Sequence, residues 1–318
     1  MAAALVVAQL RGLLHERAQV AQREGTGLAS PSLGLLYLTD HWAAQAHEVL
    51  ECLEAELPFI TDWVGTSGIA VLATGTVYVD EPAMVVMLCD WQPHQYRVFH
   101  GMSPLPQSSP GADFRAHTAL LHMDPQQVEA APLLQELAQR VGPGGVWGGM
   151  GSARGEVRQW ARGSQGALAG WGHAHGVFDG GLSGVALGPE IQVDTRLSQG
   201  VVPLGRPHAI TQVQGHTVLA LDGRPALDVL RADMGWLDGD WSQHVPALAE
   251  VSVALSDTQR TEPLPGVGAL NEAAWVRPLV GLDLQRQGLV VGDALHMGMR
   301  LTWVRRQDHA LLPDVRRM

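Results

Sequence analysis

The stretch TRLSQGVVPLGRPHAITQVQGHTVLALDGRPALDVL, residues 195–230, decides the fold reading. Its pattern predicts a strand ending at Ser198, a Gly/Pro-rich loop, a strand over His208–Gln214, a Gly215-His216 turn and a second strand over Thr217–Leu221. Two apolar-alternating runs joined by a Gly-x pair signal a β-hairpin. Asp222-Gly223-Arg224-Pro225 reads as a corner, in which Asp222 closes an Asx turn and Gly223 takes positive φ. Pro225 suits the first position of a following helix, where its missing N–H costs nothing.

Outward from this hairpin, residues 1–30 read as an N-terminal amphipathic helix with Leu5, Val6, Leu10, Leu13 and Leu14 on one face. The segment lacks the basic start and cleavage site of a signal peptide. Leu33–Thr39 reads as a strand, Asp40 as the cap of a helix over His41–Glu56, and Phe59–Val64 as a strand leading into a Gly65-Thr66-Ser67-Gly68 turn. Strand, helix and strand in that order suit a parallel βαβ unit. Pro125–Val141 reads as a further helix, and the rest is mostly strands. The expected class is α+β, with β-sheets packed together and flanked by helices.

The chain has 318 residues, 46% of them hydrophobic, enough for two domains or one large one with a substantial core. A net charge of −11 argues against a nucleic-acid or anionic-membrane partner. All 21 Lys and Arg residues are arginine, which removes any P-loop or Schiff-base lysine. Cys52 and Cys89 form no CxxC and read as small buried hydrophobes of a reducing, cytoplasmic compartment. The apolar run Ala83–Cys89 is far too short to span a bilayer. The chain holds no G-x-S-x-G, H-E-x-x-H, G-x-G-x-x-G or Walker A motif, so an enzyme is not expected. Ser152 and Ser183 are nucleophiles only in principle, since neither has a sequence-local partner.

The run S-Q-G-x-x-P-x-G-x-P at 198–207, followed by I-T-x-x-x-G-x-x-V-x-x-L-D-G-R-P-A-L at 210–227, resembles the FIST family of sensory domains. Three further places resemble it in the same order. They are residues 59–68, which lack the usual cysteine and following acidic residue; Gly145–Met150 with Gly184–Leu187; and Arg277–Gly281 with Gly288–Gly292 and Gly298. The resemblance implies a FIST N-like domain over 31–222 and a FIST C-like domain over 223–310. It also implies a small-ligand-binding protein, with amino acids or other small carboxylates as ligands, that signals through a separate partner protein. Some members resemble haem-bound nitric-oxide sensors.

The expected site lies between the two halves. The amides and hydroxyls of Gly65, Thr66, Ser67 and Gly68 would cradle an anion, and Arg206 or Arg277 would take a carboxylate in bidentate fashion. The competing readings are an ordinary hairpin turn and structural ion pairs to Asp222 or Asp283. His173 and His175, with Asp179 or His208, form a weaker metal candidate. His100, His117, His122, His173 and His175 are possible axial ligands should haem bind. A haem sensor and an unrecognised hydrolase using Ser152 or Ser183 are the alternative functions.

Overall fold

A computed structural model describes residues 2–27, 30–101, 104–105, 114–127, 129–163, 176–195, 197–198, 200–236, 240–257, 266–267 and 274–307. The chain divides into two compact units, Met1–Val193 and Asp194–Met318. Helices and strands mix in both, as expected of an α+β protein.

The first unit contains α1 (Ala2–Glu24), β1 (Leu33–Thr39), α2 (Ala46–Glu56), β2 (Asp62–Gly68), β3 (Ala70–Ala73), β4 (Thr76–Val79), β5 (Met84–Cys89), β6 (Tyr96–His100), β7 (Thr118–Met123), α3 (Ala130–Arg140), β8 (Val146–Met150), β9 (Arg158–Arg162), β10 (Val177–Asp179) and β11 (Leu182–Leu187). Two sheets carry it, with strand orders β10-β9-β2-β1-β5 and β6-β11-β7-β8. Their facing sides share one apolar cluster that includes Leu33, Leu35, Val64, Val98, Leu120, Ala161, Val185 and Leu187. Alternation sends Leu36, Leu38, Trp63 and Trp160 to the opposite face of the five-stranded sheet, where α1 and α2 cover them. α3 covers the outer face of the other sheet through Leu137, against Ala119, Leu121 and Met123. The order is therefore helices, sheet, sheet, helix.

The helix α2 buries Ala46, Val49, Leu50 and Leu53, the i, i+3, i+4, i+7 stripe of a packed helix. The helix α1 departs from expectation: Val7 and Leu10 are buried and Ala3 and Val6 pack beside them, while Leu5 and Leu13 are more than half exposed. Positions 3, 6, 7 and 10 make the contact stripe, and Leu5 and Leu13 fall off it. Asp40 does not cap a helix either. It opens a 3-10 turn over Asp40–Gln45, and its carboxylate is held by an arginine instead.

The second unit contains β12 (Leu197–Ser198), β13 (Val201–Pro203), β14 (His208–Gln214), β15 (Thr217–Leu221), β16 (Arg224–Pro225), α4 (Ala226–Met234), α5 (Val245–Ala249), β17 (Val251–Ser256), β18 (Gly266–Val267), β19 (Ala274–Asp283), β20 (Gly288–Val291) and β21 (Arg300–Arg306). The path β21-β14-β15-β20-β19-β17 closes on itself because β17 also pairs with β21. Closure removes free sheet edges. Ile210, Val218, Leu221, Leu227, Leu230, Val253, Leu255, Leu289, Leu301 and Trp303 form its core. Both hairpin strands have the bounds expected from sequence, and Gly215 takes φ +58° at their turn. Pro225 stands one place earlier than expected. It pairs with Ala220 in the short β16 and is the residue before α4, with ψ 134°.

Candidate functional site

In the first unit β1 and β2 run parallel, so Thr39 and Gly68 end at the same edge of the sheet. Carboxyl ends of parallel strands are where open sheets leave room for ligands. An open cavity of about 410 Å³ lies there, lined by Asp40, His41, Ala43, Ala44, Arg154, Gly155, Glu156 and Arg158. Arg154 donates to both carboxylate oxygens of Asp40, at 3.0 and 2.8 Å, and also pairs with Asp80. Arg158 donates from Nε to Asp179 at 2.8 Å and from Nη1 to the Ala43 carbonyl at 3.0 Å. Its Nη2 makes no hydrogen bond with a described residue, and the exposed Glu156 makes no ion pair with one.

The residues 65–68 are the second half of strand β2, not a turn. β1 pairs with them on one side, while β9 pairs with Gly65 and Thr66 on the other. Gly65 and Thr66, paired on both sides, spend their amides on the ladder, while Ser67 and Gly68 pair with β1 alone. The hydroxyls have a different task. Ser67 Oγ accepts from the Arg158 N–H at 3.0 Å, and Thr66 Oγ1 donates to the Arg158 carbonyl at 3.2 Å. Thr66 and Ser67 thereby hold the backbone of the arginine that borders the cavity. Sequence reading missed Arg154, Arg158 and Glu156, because no motif links residues about ninety positions from Ser67.

Arg154 is the main reason that the Asp40 carboxyl is pulled down from its ordinary 3.8 to about 2. A depressed carboxylate contributes stability that is complete above its unfolded pKa and fades as pH falls through the folded one. We therefore expect the pair to persist at neutral pH and to be lost between about pH 4 and pH 2. A carbon-detected NMR titration should place the Asp40 midpoint near the bottom of that window, and Arg154→Ala should return it toward the ordinary carboxylate range. An unshifted midpoint in the wild-type protein would refute this.

A second group of polar residues lies between the two sheets of this unit. Register places Gly149, His122, Ser183 and His100 in one row across β8, β7, β11 and β6. Val85, Tyr37, Thr66, Gln159 and Phe178 form the facing row across β5, β1, β2, β9 and β10. Three contacts join the rows. Tyr37 Oη lies 3.0 Å from His122 Nε2, Ser183 Oγ donates to Gln159 Oε1 at 2.8 Å, and His100 stacks on Phe178 at 4.3 Å. Ser183 is fully buried and bonded to Gln159 rather than to either flanking imidazole, an arrangement unlike an activated nucleophile. A haem macrocycle entering at His100 or His122 would have to break these cross-sheet contacts.

In the second unit Arg206 pairs with Asp222 at 2.9 Å. Arg277 pairs with Asp293 at 2.8 Å rather than with Asp283. Trp275 donates to the same Asp293 carboxylate, which explains that choice of partner. Gly223 takes positive φ, 77°, as the corner reading expects, and Asp222 does so as well, at 50°; the Asp222 carboxylate accepts from the Ala209 amide at 2.8 Å instead of closing an Asx turn. His208 lies between Asp222 and Asp233, and Asp179 is the partner of Arg158. His173 and His175 lie outside the described residues.

The sequence model of the FIST N domain matches residues 32–224. The chain belongs to the FIST family. This FIST protein is 25% identical to two Mycobacterium tuberculosis proteins, each described as uncharacterized, one from strain H37Rv and one from strain CDC 1551. The alignments cover 96% of this chain and 76% of each relative. The FIST family is one of sensory domains that take small ligands, rather than a family defined by catalysis. The cavity and the inter-sheet rows both fall within the matched residues. The match also runs past Val193 to take in the β14–β15 hairpin of the second unit. Among the described residues no helix is long and apolar enough to cross a membrane.

Proposed function

We propose that this FIST protein binds a small zwitterion, an amino acid or closely related carboxylate, in the cavity at the carboxyl ends of β1 and β2, and that a separate partner protein reads the bound state. The observation that carries this reading is a spare guanidinium donor and a carboxylate on one rim. Among the described residues, one guanidinium nitrogen of Arg158 has no acceptor and Glu156, two positions before it, has no ion-pair partner. A ligand carboxylate suits the first and a ligand ammonium the second. Thr66 and Ser67 fix the backbone of Arg158, and Asp179 and Ala43 fix its side chain, so the donor is held in place before binding. Family membership supports a small ligand, and the chemistry of the rim supports its class.

A thermal-shift screen of amino acids tests this, because a ligand that binds only the folded state raises the melting temperature. Titration calorimetry on the best hit should then show Arg158→Gln weakening affinity about 10- to 100-fold, the worth of a charge-assisted hydrogen bond. Glu156→Gln should weaken the amino acid but spare its deaminated carboxylate analogue. Binding that ignores both substitutions would rule the cavity out as the site.

A further inference from the structure

The cavity at the carboxyl ends of β1 and β2 carries more negative charge than positive. Asp40, His41, Arg154, Glu156 and Arg158 line it, and Asp80 and Asp179 flank it as partners of its two arginines. Four carboxylates therefore face two guanidiniums among the described residues. The surplus is unevenly placed. Asp179 and Arg158 neutralise each other at 2.8 Å. Asp40 and Asp80, by contrast, share the single Arg154, and Glu156 has no ion-pair partner among the described residues. His41 lies 3.4 Å from Asp40 and 4.0 Å from Asp80, so its protonation would offset only one of the two surplus charges.

The local backbone separates the charged groups. Arg154 holds the carboxylate of Asp40, where the 3-10 turn Asp40–Gln45 begins. Arg158 holds the Ala43 carbonyl three residues later, and three residues of 3-10 turn rise about 6 Å. The spare nitrogen of Arg158 and the Asp40–Asp80 pair thus belong to opposite ends of the cavity. Ala43, Ala44 and Gly155 line it without charge and with little bulk. A neutral zwitterion leaves the surplus unchanged, since it brings one charge of each sign. A ligand with a second cation reduces it, and a cleft with a surplus of one sign concentrates ligands of the other.

We infer that the ligand of this cavity is an amino acid with a cationic side chain of about the length of lysine's, whose side-chain charge lies at the Asp40–Asp80 end while its carboxylate meets Arg158 and its α-ammonium meets Glu156. The assignment rests on the zwitterion reading of the same cavity and adds the class of side chain. Titration calorimetry with L-lysine, L-norleucine and L-glutamate tests it. Norleucine has the carbon chain of lysine without the side-chain ammonium, so the comparison isolates that one charge.

Lysine should bind at least about fivefold more tightly than norleucine at low salt, the upper range for an exposed ion pair, and the gap should shrink as salt rises. Glutamate should bind more weakly than norleucine. Asp80→Asn removes one charge from the far end and should cut the lysine advantage by about half or more, with norleucine affinity unchanged. The variant should keep its melting temperature, because the Asp80 side chain is 56% exposed and its φ of 55° lies in the left-handed region that asparagine adopts readily. Norleucine binding as tightly as lysine, or an undiminished lysine advantage in Asp80→Asn, would overturn the inference and leave the amino-acid reading standing. If no amino acid bound, or if lysine binding ignored Arg158→Gln, both would fall together.

Discussion

Gly65→Ala is expected to be strongly destabilising, although it adds one methyl group. Gly65 sits in mid-strand, opposite Leu36 on β1 and Trp160 on β9. The indole of Trp160 crosses over this glycine to donate from Nε1 to the Leu36 carbonyl at 3.0 Å. A Cβ at position 65 would stand 1.7 Å from that carbonyl oxygen and 2.5 Å from the indole nitrogen. Neither neighbour can yield: one is backbone paired on both sides, and the other is a fully buried tryptophan. The substitution must break the hydrogen bond and part the strands together. Overpacking usually costs about 1–3 kcal/mol, and this case adds a buried hydrogen bond and sheet distortion, so we expect about 4 kcal/mol or more. That is a large share of the stability of an ordinary domain. Urea denaturation of the variant, with Gly149→Ala as a matched control in open space, reads the difference. A variant within about 1 kcal/mol of wild type would show that residues 65–68 do not pack as a central strand.

The same position shows what sequence could and could not reveal. Gly215, Gly223 and Gly235 are glycines of turn and helix end, with positive φ. Their chemistry is local, so the hairpin over 208–221 and the corner after it could be read directly. Gly65 and Gly68 have the same composition signal for a different reason. The Gly-Thr-Ser-Gly string resembles a turn, but Gly65 is small because Trp160, ninety-five positions away, passes over it. No local pattern carries that information. The candidate site divides in the same way. Thr66, Ser183, His100 and His122 each stood out singly in the sequence, and strand register gathers all four into one layer. Arg158 and Glu156 had no local signature, because their significance depends on where the β1 and β2 ends emerge.

His208→Leu is the second substitution with a large expected effect, and Arg206→Ala is its contrast. His208 is almost wholly buried, with Nδ1 2.8 Å from Asp222 and Nε2 2.7 Å from Asp233. Asp233 also accepts from the Trp303 indole at 2.7 Å. One imidazole thus ties the start of β14 to the corner after β15 and to helix α4. Removing it leaves two partly buried carboxylates without their shared partner, and breaking such a pair from one side costs about 3–5 kcal/mol. Because both carboxylates keep some solvent access, we place the loss at the lower end, near 3 kcal/mol. Asp222 would still hold the Ala209 amide and Arg206. Arg206 is 71% exposed, so truncating it should change stability by about 1 kcal/mol or less. If the stranded charges cause the loss, adding Asp233→Asn to His208→Leu should recover part of it, because the amide is uncharged and keeps an acceptor for the Trp303 indole. Urea unfolding of the two single variants and the double variant measures this directly. Equal, small losses for His208→Leu and Arg206→Ala would mean that the bridge contributes no more than an exposed ion pair, and that the hairpin is held by its apolar core alone.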